Sequence, residues 1–145
     1  MDGLDGIEEK KEFRFYANGH PNISARHLTT LEITKDDNLT RRGDCIVAVG
    51  AIYDSLLLQS FLKDAVRLVI SLECRGKKEV IDGAFNPSFN AGEELVLRRS
   101  LFASERTLMI GADRACVDLS RDFVEMIKNP SAAIGITIQR KNNLP

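Results

Sequence analysis

The sequence predicts a mainly β protein, a β-rich α+β chain in which two short helices interrupt eight strands. Three observations carry this prediction. Segments rich in β-branched and aromatic residues recur along the chain, each bounded by Gly, Pro, Asn or Asp. Only two stretches show the apolar spacing of a helix. The order strand, strand, strand, helix, strand also occurs twice. A chain of 145 residues suits one domain of this kind, and 43% hydrophobic residues with a net charge of −1 argue against disorder.

Residues 1–12 read as a flexible polar leader, 13–140 as the domain and 141–145 as a tail. The first strand is expected at 13–17, closed by the turn-prone Asn18-Gly19-His20-Pro21-Asn22. The second, 28–34, places Thr29, Leu31 and Ile33 on one face. The third, 45–50, starts from the turn Arg41-Arg42-Gly43-Asp44. Asp54 can cap a helix whose stripe is Leu57, Leu58, Phe61, Leu62 and Ala65, and a long strand, 66–74, follows. Strands are then expected at 80–85, 94–99 and 107–110. Asp118 or Ser120 can cap the second helix, with the stripe Leu119, Phe123, Met126 and Ile127. Asn129-Pro130 stops it, because proline disfavours helix at the preceding residue. The last strand is 132–140.

Residues repeat along with the elements. At one constant spacing Gly19 matches Gly83, Asn22 matches Asn86, Leu31 matches Leu95, Arg42 matches Arg106, Ile46 matches Ile110 and Asp54 matches Asp118. This predicts a tandem duplication with halves 13–76 and 77–140. Either half alone buries too little surface to be comfortable, so the two pseudo-symmetric β-β-β-α-β halves should share one core. A sandwich is the expected arrangement and a closed, cradle-like barrel the alternative. Arg42 and Arg106 would then occupy equivalent corners near the axis. At the first corner Gly43 permits a tight backbone, and Asp44 can hydrogen-bond the turn amides.

Several classes are argued against. Balanced charge disfavours non-specific nucleic-acid binding, which depends on many phosphate contacts. No apolar run approaches the ~18 residues of a membrane span, and Met1-Asp2-Gly3-Leu4-Asp5 lacks a signal-peptide pattern, so a cytoplasmic setting is expected. Cys45, Cys74 and Cys116 are widely spaced and read as core fillers. With His20 and His27 in one loop as the only histidines, no preformed metal set is expected, and no cofactor. Homo-oligomerisation stays open.

A set of motifs accompanies these elements: Gly19-His20-Pro21-Asn22-Ile23, His27 with Thr29-Thr30-Leu31-Glu32-Ile33-Thr34, Thr40 through Ile46, Arg99-Ser100, Arg106-Thr107-Leu108 and Ala112-Asp113-Arg114-Ala115. Together they resemble a family of small, mainly archaeal proteins of unknown function, over roughly residues 13 to 140. The resemblance implies a β-rich, sandwich-like fold and an archaeal cytoplasmic setting. It implies no reaction.

The residues that carry chemistry cluster at turns and strand ends. His20, His27, Arg42, Asp44, Arg99, Arg106 and Asp113 are expected to gather at one end of the domain. Arginine's planar fork of donors suits phosphate or carboxylate, so a binding module for a small anionic ligand leads. An enzyme pairing His20 or His27 with Asp44 or Asp113 for acid–base work is the alternative. A structural or assembly protein is third. Arginines tied up in ion pairs favour the third reading, and arginines converging on one place favour the first two.

Overall fold

Inter-strand hydrogen bonding runs in an unbroken ring. The computed structural model describes residues 11–141; the expected leader and tail lie almost wholly outside them. The strands are β1 (Glu12–Asn18), β2 (Thr30–Thr34), β3 (Ile46–Ile52), β4 (Arg67–Cys74), β5 (Lys77–Phe85), β6 (Glu94–Arg98), β7 (Thr107–Ile110) and β8 (Ala133–Lys141). Helix α1 (Ser55–Phe61) separates β3 from β4, and α2 (Arg121–Ile127) separates β7 from β8. All eight expected strands and both helices are present.

Strand order around the ring is β1-β3-β2-β6-β7-β5-β4-β8, with β8 pairing back to β1. The mainly β class holds, but the sandwich gives way to the closed barrel. Two facing sheets would leave rows of unpaired backbone donors and acceptors at their edges. Here β2 pairs with β6 and β4 with β8, so the strands each half would leave unpartnered satisfy one another. Alternate residues, among them Leu31, Ile33, Leu68, Ile70, Leu95, Leu97, Ile136 and Ile138, fill the interior. An eight-stranded barrel is just narrow enough for side chains to do this, and each such aliphatic residue contributes about 1.5–3 kcal/mol.

The ring reads the same when β1–β4 are exchanged with β5–β8. One seam joins β2 to β6 antiparallel around Glu32 and Val96; the other joins β4 to β8 around Ser71 and Thr137. Loop hydrogen bonds repeat the exchange. The Glu32 amide donates to the Cys45 carbonyl at 2.7 Å, and the Val96 amide to the Arg106 carbonyl at 3.1 Å. Lys35 donates to Glu93 at 2.9 Å, and Arg99 to Thr29 at 2.8 Å. Gly50 and Gly111, at φ of 60° and 57°, donate to Asp36 and Ser100.

These contacts correct the constant spacing read from the sequence, which holds only for β2 and β6. Cys45, not Arg42, is the counterpart of Arg106, because each residue directly precedes the parallel strand of its half. Ser120, not Asp118, is the counterpart of Asp54. Asp54 caps α1 by accepting the Leu57 amide at 3.0 Å, and Ser120 caps α2 by accepting the Phe123 amide at 3.3 Å. The physical reason lies in the loops. The crossing loop 35–45 is longer than its equivalent 99–106, and a 3-10 turn, Cys116–Asp118, is inserted ahead of α2.

Strand directions put the two helices at opposite ends of the barrel. α2 buries Phe123, Val124 and Ile127. α1 buries Leu58, with Leu62 just beyond it, but Leu57 is 63% exposed and lies outside the stripe expected for it. Each helix also ties down the loop leading to a central strand. Arg121 donates to the carbonyls of Ser24 and Ala25 ahead of β2, while Gln59 bonds Phe89 and Ala91 ahead of β6.

Candidate functional site

Alternation along β2 sends Leu31 and Ile33 inward and Thr30, Glu32 and Thr34 outward, yet all five are buried. Glu32 is therefore a carboxyl group at the centre of a seam, only 6% exposed. Its Oε1 accepts from the Cys45 thiol at 3.8 Å. Burial pushes the carboxyl up to about 7; neighbouring Glu94 adds to the rise and Arg106 opposes it. Arg106 is committed to Glu94, with Nη1 donating to Oε1 at 2.6 Å. Burial, with Glu32 beside it, likewise raises the Cys45 thiol to about 11, so this sulfur is a neutral donor at physiological pH.

Cys45 links this cluster to the corner under α2. Its carbonyl accepts from the Cys116 thiol at 3.2 Å, and burial raises Cys116 further than any other thiol of the chain. Cys74 and Cys116 are the buried fillers expected; Cys45 is half-buried and faces a carboxyl group. The adjoining turn is closed by backbone. Gly43 donates to Thr40 at 3.1 Å, and a Cβ on Gly43 would lie 2.5 Å from a Leu39 methyl. The expected bond from the Asp44 side chain to turn amides is not formed among the described residues. Asp44 acts through its backbone instead: its carbonyl accepts from Arg26 at 3.1 Å and His27 at 3.3 Å, and its amide donates to Arg42 at 3.0 Å.

His27 Nδ1 accepts the amides of Thr29 and Thr30 at 3.2 and 3.1 Å, which leaves Nε2 to carry the ring proton. His27's carbonyl accepts from Val117 in the 3-10 turn at 3.1 Å, and Arg99 reaches Asp118 of the same turn at 3.3 Å. The structure thus brings His27, Asp44 and Arg99 to one end of the barrel, with Arg42 beside Asp44. His20 and Asp113 follow the ends of β1 and β7 at this same end but are held by other contacts, and of the seven expected residues Arg106 alone lies at the other end. His20 lies in its own turn, with its Nδ1 accepting the Asn22 amide at 3.0 Å and its amide donating to the end of α2. Asp113 turns onto β5 and accepts the Asp82 amide at 3.0 Å. Arg106 precedes β7 at the opposite end from the start of β3. Neither histidine makes an ion pair with a carboxylate among the described residues.

Two sets of arginines differ in their partners. Arg14, Arg67, Arg99, Arg106 and Arg114 each hold a carboxylate: Glu12, Asp82, Asp118, Glu94 and Glu79 respectively. Arg26, Arg41 and Arg42 are exposed and have no side-chain partner among the described residues. Sequence reasoning missed Arg26 and Glu32. Glu32 sits between two core residues in an ordinary alternating strand, and its burial comes from a parallel pairing between distant segments. Arg26 carried no signal beyond its place in the loop that holds both histidines.

The chain belongs to the family described as "Domain of unknown function (DUF371)", whose model matches residues 15–141. It is 37% identical over 123 residues to the uncharacterized protein MJ0206 of Methanocaldococcus jannaschii, a match covering 81% of this chain and 91% of that protein. Among the described residues no helix is long and apolar enough to cross a membrane.

Proposed function

We propose that this protein is a binding module for a small anionic ligand, held at the corner where the loop 19–29 meets the turn before β3. One observation carries the reading. Arg26, Arg41 and Arg42 leave a backbone pinned at Asp44 and have no carboxylate partner among the described residues, while five other arginines are ion-paired. Three arginines carried on neighbouring backbone concentrate positive charge at one corner, and a bidentate anion suits such donors. Nε2 of His27 adds a ring N–H donor at the same place. Arg106 and Asp113, each already occupied, serve structure in this reading, and so does His20. The cytoplasmic setting, and a tandem duplication as the origin of the ring's symmetry, belong to the same proposal.

The acid–base alternative is less supported, because each histidine has Nδ1 occupied by backbone amides where an orienting carboxylate would sit. The test is a thermal-shift and calorimetric screen with inorganic phosphate, pyrophosphate, sugar phosphates, nucleotides and citrate. At least one should raise the melting temperature with concentration, as ligands of the native state do. The gain should vanish in the Arg41→Ala/Arg42→Ala double variant and persist in Arg106→Ala. No stabilisation by any of these anions at millimolar concentration, or equal stabilisation of the double variant by all of them, overturns the proposal.

A further inference from the structure

The two-fold exchange sets one place on the barrel wall beside its counterpart and shows that only one of the two has been opened. On the β5–β4–β8 side, Asp82, Val69 and Gln139 form a row across three strands. Asp82 there accepts from Arg67 at 2.7 Å and Lys141 at 2.9 Å, so the protein's own side chains fill the space. The corresponding row on the β1–β8–β4 side is Tyr16, Gly135 and Glu73. Tyr16 stands where the carboxylate of Asp82 would be, Gly135 where Val69 is, and Ala133 where Arg67 is. The cation is kept: Arg75 corresponds to Lys141 and has no partner among the described residues. The result is a cavity of about 290 Å³ lined by Arg14, Tyr16, Glu73, Arg75, Gly135 and Thr137.

We infer that this hollow is a second binding site, separate from the Arg26–Arg42 corner, for a small flat-ringed molecule that carries a phosphate or carboxylate. Each wall supplies one element of that chemistry. Tyr16 is 64% exposed and offers a ring for stacking. Any side chain at Gly135 would begin 3.6 Å from that ring and occupy the space a stacked ligand needs. Arg75 and Arg14 bring positive charge to the rim, Arg14 sharing its own with Glu12 at 3.6 Å. Thr137 and the acceptor-only Glu73 suit hydroxyl groups of the ligand. Arg75 is held at φ of 51° in the two-residue turn with Gly76, whose backbone fixes where the guanidinium starts.

The test uses the full chain labelled with nitrogen-15 and titrated with adenosine monophosphate, adenosine and inorganic phosphate in turn. The monophosphate should shift the amide resonances of Gly76, Gly135 and Thr137, and adenosine and phosphate should each bind at least ten-fold more weakly. Gly135→Val, which installs the residue found at Val69, and Arg75→Ala should each weaken binding at least ten-fold without unfolding the protein. Arg41→Ala/Arg42→Ala should leave these shifts unchanged, so failure here is distinguishable from failure of the corner site. Absence of shifts at these amides, shifts that survive Gly135→Val, or phosphate binding as tightly as the nucleotide would overturn the inference.

Discussion

Cys45 and Arg106 occupy the same place in the two halves: each directly precedes a parallel strand, and each gives its carbonyl to the amide at the centre of the β2·β6 seam. Around them the halves differ in every polar choice. The first half places Glu32 at the seam centre with a neutral thiol beside it. The second places Val96 there and sets Arg106 against Glu94 at the rim. The backbone plan is thus indifferent to what its outward positions carry. Polar residues at such positions therefore call for a reason beyond folding, and Glu32 in particular is costly to bury as a carboxylate.

The comparison breaks first at Gly19, the counterpart of Phe85; their amides donate to Ala132 and Val66 at 3.1 and 2.9 Å. A Cβ at Gly19 would lie 2.3 Å from the carbonyl oxygens of Ile127 and Asn129, which are backbone atoms that cannot swing aside. Gly19→Ala should therefore lose at least about 3 kcal/mol in urea denaturation, although the other half accepts a phenylalanine at this place.

Next in size is Glu32. Its carboxyl rises from an ordinary 4.5 to about 7 on folding, so the native state binds a proton more tightly than the unfolded chain. The stability this group contributes is complete below about pH 4.5 and is lost as pH climbs through 7. Glu32→Gln should add on the order of 1–3 kcal/mol at pH 8, change little near pH 4.5 and flatten the profile between them. A wild-type profile with no loss of stability between pH 5 and 8 attributable to Glu32 would remove the argument that this carboxyl is buried at a cost.

Smaller still is Arg106→Met. This side chain is half exposed and its ion pair with Glu94 is solvent-screened, so the loss should be no more than about 1 kcal/mol. It should be greater at pH 8 than at pH 5, because the arginine favours the ionised form of Glu32. Least of all is His20→Asn. Asn86, the counterpart, accepts the Ser88 amide through Oδ1 at 3.1 Å as His20 accepts the Asn22 amide through Nδ1 at 3.0 Å. Stability should stay within about 0.5 kcal/mol, while His20→Ala should cost about 1 kcal/mol through the lost turn bond. A larger effect of His20→Asn would give the imidazole a role beyond the turn.

How much of this could be read from the sequence depends on where each feature is decided. Strands such as 66–74 and helices such as the one after Asp54 were legible because alternation, caps and breakers are local. Closure was not, because it depends on β2 meeting β6 and β4 meeting β8, pairings in which the residues themselves show no preference for barrel over sandwich. The spacing Leu31–Leu95 identified a true correspondence. Extending it to Arg42 and Arg106 failed because three residues of extra loop before β3 shift everything beyond the central strands. Of the expected site, all but Arg106 lie at one barrel end, since they flank strand ends that share it. His20 and Asp113 share that end but hold backbone amides of Asn22 and Asp82, and nothing in the local pattern told a backbone-holding side chain from a free one.

Closure through counterpart strands makes each seam isologous, with β2 against the equivalent of itself and β4 likewise. A half-length chain would carry both seam strands, each suited to pair antiparallel with another copy of the same chain. Two copies could then complete an eight-strand ring as a symmetric dimer. The halves are not equal candidates. Doubling the first would set Glu32 directly opposite Glu32 at the seam centre, where like charges repel, whereas doubling the second would set Val96 against Val96. Self-assembly thus belongs more naturally to residues 77–140, and the charge at Glu32 makes the first half depend on its covalently attached partner.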